Sequence, residues 1–381
     1  MVVHRGEYMG GPAPLISRRS LLRRGGAAFA GLASLNLLAA CGDDNPSSST
    51  QGASTSAPAK LAGSVVFLNY PAWIGSESIK PFETQHPDVQ IKEDTTALVE
   101  SVAGTAVKVA QNPSAYDFLL ADVPIQKQLD EGGFVYKLDF ARIPNIEKVN
   151  QRFRDAYPLG VPTDFGKIGF GYRKDIVKER PTSWEELWAI APSYSRKITA
   201  LNIDRDILGA ALKLKGFSVN TVDDAELEAA KQAVLELKPH LEAFKSVEVA
   251  KGLVSGQTAI AITGDYDIAL MQSQEPKIEW VSPEEGMPAY LEGWTAVSKT
   301  EEIDIFYEFA DFAISPEQYA KAIEATGSSW VQDDIVGLLP KALSSSDVIG
   351  TSDLDKVEFL DYIGADGTKK VARVWNEIVS A

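Results

Sequence analysis

Cysteine is nearly absent: the 381 residues contain one. A lone thiol has no partner in the chain, so no disulfide scaffold holds this protein together. Histidine is scarce too, at three residues, which leaves little material for a His/Cys metal site or a Cys–His nucleophile pair. Basic residues are outnumbered, 37 Lys+Arg against 53 Asp+Glu, for a formal net charge of −16. A nucleic-acid binder needs a basic surface to meet phosphates, so that class is excluded. A Gly-x-Ser-x-Gly elbow, a His-Glu-x-x-His pair and a phosphate-cradling glycine loop are all missing. The chemistry of an exported hydrolase therefore has no visible carrier, and an enzyme is not expected.

What is present is an ordinary soluble composition, 45% hydrophobic and 24% charged, in a chain long enough for two domains with a generous core. Its first forty residues read as an export signal. Arg18 and Arg19 sit between two serines, with Leu21, Leu22 and Arg23 following. The apolar run from Gly25 to Ala40 is shorter than the roughly 20 residues that span a bilayer, so it reads as a signal core rather than an anchor. It ends Leu38-Ala39-Ala40-Cys41. Residues 41–60 are Ser-, Thr- and Ala-rich with almost nothing to pack, and read as a flexible tether. Without residues 1–40 the chain keeps 32 basic and 52 acidic residues, a net charge of −20.

From Val65 onward, short apolar runs alternate with helical patterns. Strands are expected at Val65–Leu68, Val89–Ile91, Asp117–Ala121, Ile168–Tyr172, Ile198–Ile203, Ala259–Ile262, Ile278–Val281 and Trp294–Val297. Helices are expected at Ser76–His86, Leu98–Gln111, Pro124–Glu131, Asp206–Lys215, Asp223–Phe244, Tyr266–Ser273, Ile303–Ile314, Pro316–Thr326 and Lys370–Val379. Ser183 with Glu186 forms a capping box at the start of another. The β-α-β order implies an α/β fold with mostly parallel sheets flanked by helices.

Several signatures, in order, resemble the extracellular solute-binding proteins of ABC transporters, in particular the spermidine/putrescine group. They are Phe82-Glu83 before Pro87-Asp88-Val89, Tyr116-Asp117, Val161-Pro162 before Phe165-Gly166, Thr182-Ser183-Trp184 running into Leu187-Trp188, and Glu284-Glu285-Gly286. The twin arginines resemble the twin-arginine export motif, and the segment ending in Cys41 resembles a lipobox whose cysteine carries lipid. The resemblance implies a two-lobed periplasmic-binding-protein fold of type II. Lobe one would be 61–168 plus 290–334, and lobe two 169–289 plus 335–381. It also implies a monomeric lipoprotein on the outer face of the cytoplasmic membrane that delivers a polyamine or related small organic cation to ABC permease subunits, without a cofactor.

A polyamine wants carboxylates at its amines and aromatic walls along its methylenes. The resemblance places Tyr70 and Trp73 after the first strand as rings, with Ala72 where the group has an acid; packing in the core is the alternative. Asp122 falls at a cleft-facing position or caps the next helix. Asp206 matches an amine-holding acid, with a dipole role at the helix start as the alternative. Thr263 stands where the group has tryptophan, followed by Asp265, either ligand partner or helix cap. Tyr290 and Glu292 match a ring and its key acid, and Trp330 would close the cleft. An acid in an apolar strand is costly unless paired, which singles out Glu292. The departures at Ala72 and Thr263 keep a different amine, an opine-like compound or a vitamin open as ligand.

Overall fold

The computed structural model describes residues 60–95 and 102–381. The export signal expected over 1–40, Cys41, the tether through 59 and the expected start of a helix at Leu98 lie outside them.

Among the described residues eleven strands are present: β1 (Gly63–Leu68), β2 (Val89–Asp94), β3 (Phe118–Asp122), β4 (Val161–Arg173), β5 (Ile198–Leu201), β6 (Leu241–Lys245), β7 (Ile260–Gly264), β8 (Ile278–Val281), β9 (Met287–Ala296), β10 (Ser329–Trp330) and β11 (Val357–Phe359). Their main path runs β2-β1-β3-β9-β4-β7-β5-β6. Within it, β1 pairs parallel with β2 and β3, and β5 parallel with β6 and β7. These parallel pairs are the products of strand–helix–strand alternation, since parallel neighbours need a crossover between them. The pairs made by the connecting strands β4 and β9 with β3, β7 and each other are antiparallel.

β4 links the two groups of strands. Its residues Val161–Lys167 pair with β9, and Ile168–Tyr172 pair with β7. All thirteen of its residues are buried.

Two large cores form, and the first reaches across β4 to Ala261 of β7, Ile268 and Ile278 of β8. In the first, Phe67 stacks on Phe118 at 4.4 Å, and Phe309 meets the rings of Phe82 and Trp294 at 5.4 and 5.5 Å. In the second, Trp184 packs on Phe170 at 5.5 Å among Leu208, Ile260 and Ile378. The chain after 334 divides between them. Ile335, Leu339, Val348 and Ile349 pack in the first core, while the helix Gly364–Ser380 packs on the second, with Trp375 against Phe244.

Helix ends follow the local chemistry. Ser183 accepts the Glu186 amide at 3.1 Å as a cap should. The return bond of the box is displaced by one residue: Glu186 accepts from the Thr182 amide, and Glu285 takes the amides of Trp184 and Glu185. The long helix expected over Asp223–Phe244 is corrected by the structure. It stops at Leu237, a short 3-10 turn follows, and Leu241–Lys245 is β6. Pro239 cannot continue the helix, and the period-four apolar pattern runs on into a strand. Ile203 is likewise not strand but precedes a helix that starts at Asp204, and the following helices start at Asp265 and Gly364 rather than one to six residues later.

Candidate ligand-binding site

The site is built on β9. Glu292 lies directly opposite Asp122 of β3 on one side and Asp164 of β4 on the other. Directly opposed residues of antiparallel strands share a face, with Cβ atoms about 4.5–5.5 Å apart. One face of three adjacent strands thus carries a rung of three carboxylates. Glu292 is 6% exposed, Asp164 wholly buried and Asp122 half-buried.

Each acid is oriented by its surroundings. The Trp73 indole N–H donates to Glu292 Oε2 at 3.0 Å. The Thr163 hydroxyl donates to Asp164 Oδ1 at 3.0 Å. Asp122 caps the helix Val123–Glu131, accepting the Ile125 amide at 2.8 Å. Cap and rung member are therefore one residue, and the two readings of Asp122 do not compete. Behind the strands, the Tyr157 hydroxyl lies 2.8 Å from the carbonyls of Ala121 and Gly293 and ties β3 to β9. Burial holds that hydroxyl well above the ordinary tyrosine range, with the charges of Asp122, Glu292 and Asp164 adding to the effect.

The helix Asp204–Leu214 supplies a fourth acid. Asp206 is 6% exposed and senses the charges of Asp204, Arg205 and Asp122. Burial pushes Asp122 up to about 7, with the Glu292 charge adding, against the Ile125 amide and Arg205. Burial likewise pushes Asp206 up to about 7, with Asp204 and Asp122 adding and Arg205 opposing. The Arg205 guanidinium itself donates to Asn220 Oδ1 at 2.8 Å and to the Asp361 carbonyl at 3.2 Å.

The aromatic residues expected at the site are placed as follows. The Trp73 ring meets the edge of Tyr266 at 5.8 Å, so the loop after β1 touches the helix Asp265–Gln272. Tyr290 stands opposite Gly166, two residues before Glu292 and on its face. A Cβ on Gly166 would lie 2.1 Å from the Tyr290 ring, so glycine is what lets that ring lie flat on β4. Tyr70 packs half-buried against the first core. Trp330 pairs with Asp164 through its backbone and lays its indole against Gly350.

The expected acid at 265 sits elsewhere. Asp265 accepts from Ser329 Oγ at 2.8 Å and the Tyr266 amide at 2.8 Å, and lies 3.8 Å from Lys167 Nζ. It is the first helical residue, with Gly264 in the cap position, so the cap reading of Asp265 is corrected. Lys167 is wholly buried on β4 and donates to Asp353 at 2.7 Å, the Val348 carbonyl at 2.8 Å and the Gly350 carbonyl at 3.2 Å. Thr263, also wholly buried, donates to Asp267 Oδ2 at 2.7 Å. Trp73, Asp122 and Glu292 are thus joined by bonds or strand register, with Tyr290 beside them and Asp206 coupled to Asp122 by charge. Trp330 stands in register with Asp164, while Asp265 and Thr263 are held in separate contacts.

Asp164 and Arg205 were not singled out by sequence. The signal for Asp164 was present: an acid in an otherwise apolar crossover strand bears the same desolvation cost that singled out Glu292. Among the described residues, no carboxylate grouping is close enough to hold a metal ion. Also among them, no helix is long and apolar enough to cross a membrane.

The profile of the bacterial extracellular solute-binding protein family matches residues 77–334, more than half the chain. The spermidine/putrescine-binding periplasmic protein of Salmonella typhimurium is 23% identical over 219 residues, 56% of this chain and 62% of that one, so the chain matches about three fifths of that relative's length. The putrescine-binding periplasmic protein SpuD of Pseudomonas aeruginosa is 22% identical over 336 residues, 82% of this chain and 90% of its own. A solved structure of the spermidine/putrescine ABC transporter substrate-binding protein PotD from Streptococcus pneumoniae superposes with a TM-score of 0.74 at 20% identity, covering 84% of this chain and 99% of that one. The fold is that of the type II periplasmic binding proteins.

Proposed function

We propose a ligand for this chain, which belongs to the bacterial extracellular solute-binding protein family and is a receptor rather than an enzyme: a polyamine such as spermidine or putrescine. The observation that carries this reading is the rung Asp122–Glu292–Asp164 with Trp73 bonded to its central acid. Buried carboxylates this close repel one another and lose hydration, and an ammonium ion answers both costs. Tyr290, Trp73 and Tyr266 offer faces and edges to methylenes and to the cation itself. The curated relatives bind polyamines, which supports the same reading.

In this reading the groups of strands on either side of β4 are two lobes, roughly 61–168 plus 290–334 and 169–289, with the segment 335–381 divided between them. The cleft between them closes on the ligand and presents it to membrane permease subunits. Export through the twin-arginine signal and lipidation at Cys41 would hold the receptor at the outer face of the membrane. A second reading, an amine that also carries a carboxylate, is favoured by one observation: Arg205 lies among Asp122, Asp204 and Asp206 and offers an anion a partner.

A thermal-shift panel of spermidine, putrescine, spermine, cadaverine, arginine and choline, followed by calorimetry, tests this. Ligand at about 100 times its dissociation constant stabilises by roughly 2.7 kcal/mol. A polyamine shift that Glu292→Gln abolishes is expected. A shift with arginine alone supports the second reading, and no shift with any amine overturns both.

A further inference from the structure

The loop that brings Trp73 to Glu292 is short and strained. It leaves β1 at Asn69 and enters the helix Ser76–Gln85 after Gly75. Its tip, Pro71 and Ala72, is exposed, while Trp73, Ile74 and Gly75 turn back and are buried. Ala72 has φ +52, a left-handed conformation that crowds a Cβ. Gly75 has φ +100, and a Cβ there would lie 3.0 Å from the Phe67 ring and 3.1 Å from that of Trp294. A backbone in such a shape persists only where its surroundings hold it.

Asn69 does the holding. Its backbone N–H extends the β1–β2 ladder by one residue, donating to the Asp94 carbonyl at 3.1 Å. Its side chain is wholly buried and turns into the neck of the loop. There Nδ2 lies 3.2 Å from the Ile74 carbonyl, 3.2 Å from Ser76 Oγ and 2.8 Å from Glu93 Oε1. The Ser76 hydroxyl donates to the same Glu93 oxygen, and the Ser76 amide donates to the Trp73 carbonyl at 3.0 Å. One side chain thus ties the start of the loop to its returning limb, to the first residue of the helix and to the β2 end. A carbonyl and an ionised carboxylate only accept, so the position calls for the two N–H groups of an amide. Trp73 directly precedes the clamped Ile74, and its indole donates to Glu292.

We propose that Asn69 is a positioning residue of the ligand site, acting through Trp73 to fix where the indole meets Glu292 and Tyr266. The proposal rests on the reading of the rung as the place where an amine binds. A carboxylate whose direction is set before the ligand arrives has less freedom to lose on binding, so the clamp raises affinity by preorganisation.

A double-mutant cycle on putrescine and spermidine binding, read by calorimetry, tests this. Asn69→Ala, and Trp73→Phe, which keeps a ring but drops the N–H, should each weaken binding by about tenfold or more. Together they should weaken it little more than the worse of the two, since the clamp then has no indole to place. A residue that only supports the fold would cost the same factor in either background, so additivity overturns the proposal, as does unchanged affinity in Asn69→Ala. Fluorine NMR of the ligand-free protein, with its seven tryptophans fluorinated, is the second measurement. The Trp73 resonance, identified by its loss in Trp73→Phe, should shift or broaden in Asn69→Ala. Those of Trp184, Trp188 and Trp375, which pack on the second core, should stay. A Trp73 resonance left in place overturns the proposal whatever the ligand. If neither amine binds the unaltered protein, the ligand reading fails and the fluorine signal alone judges the clamp. Should Asn69→Ala not fold, Ser76→Ala, which removes the hydroxyl shared by Asn69 and Glu93, should show the same pattern at smaller amplitude.

Discussion

Replacing Lys167 by methionine removes a charge while keeping an unbranched chain of similar length. The ammonium it removes serves four groups: the carboxylate of Asp353, the carbonyls of Val348 and Gly350, and, at 3.8 Å, the carboxylate of Asp265. Lys167 is wholly buried, Asp265 is 1% exposed and the Asp353 side chain is 12% exposed. Two acids would be left in low dielectric with no cation. Breaking a buried pair by deleting one partner costs about 3–5 kcal/mol. Domains of ordinary stability hold about 5–15 kcal/mol in total, so the loss should be visible as a large drop in urea midpoint. The pH dependence has a definite sign. Burial already raises the Asp265 carboxyl above its ordinary value, against the pull of Lys167. Without Lys167 that carboxyl rises further, and the stability it contributes is present at low pH and lost as pH climbs through its folded-state value. The deficit of Lys167→Met should therefore be larger at pH 8 than at pH 5. Adding Asp353→Asn should return part of the loss. A deficit below about 1 kcal/mol at pH 8, or one that grows on acidification, would refute the argument that this buried ammonium fastens the C-terminal segment to β4.

Asp122→Asn should stabilise the ligand-free protein at pH 8. The carboxyl's rise from 3.8 to about 7 corresponds to an upper limit of about 4 kcal/mol, less because Asp206 titrates with it. Its folded-state value is raised, so the advantage disappears as pH falls below the ordinary aspartate range; asparagine still caps the helix, and denaturant melts at pH 4 and 8 check the difference. Gly166→Ala would set a methyl 2.1 Å from the Tyr290 ring and lift the ring off β4. A loss of about tenfold or more in ligand affinity by calorimetry is expected, worth about 1.4 kcal/mol, and unchanged affinity would show that Tyr290 does not wall the site.

Much of this was legible in the chain. Apolar runs separated by helical periods gave β1, β3, β5 and β7, because a strand buried on both faces has to be continuously apolar. Glu292 announced itself as a charge where none is tolerated alone. What was not legible was register. Nothing local says that residue 292 faces both 122 and 164, since those pairings are fixed by strands far apart in sequence. For the same reason nothing local showed that the Asp265 carboxylate is engaged by Ser329 and lies near Lys167. β6 was lost in a helical pattern because Leu237 and Leu241 fit one period across Pro239. β11 was missed because three residues carry too little pattern to read.

The length of β4 has a consequence for how the protein comes apart. One continuous thirteen-residue strand contributes hydrogen bonds to both groups of strands, and none of its residues is exposed. Neither group can melt without stripping one edge from the other. The two cores should accordingly unfold in a single cooperative transition, with equal calorimetric and van't Hoff enthalpies. The amides of Phe165 to Phe170 should exchange with solvent only through that global event, making the middle of this strand the slowest-exchanging stretch of the chain.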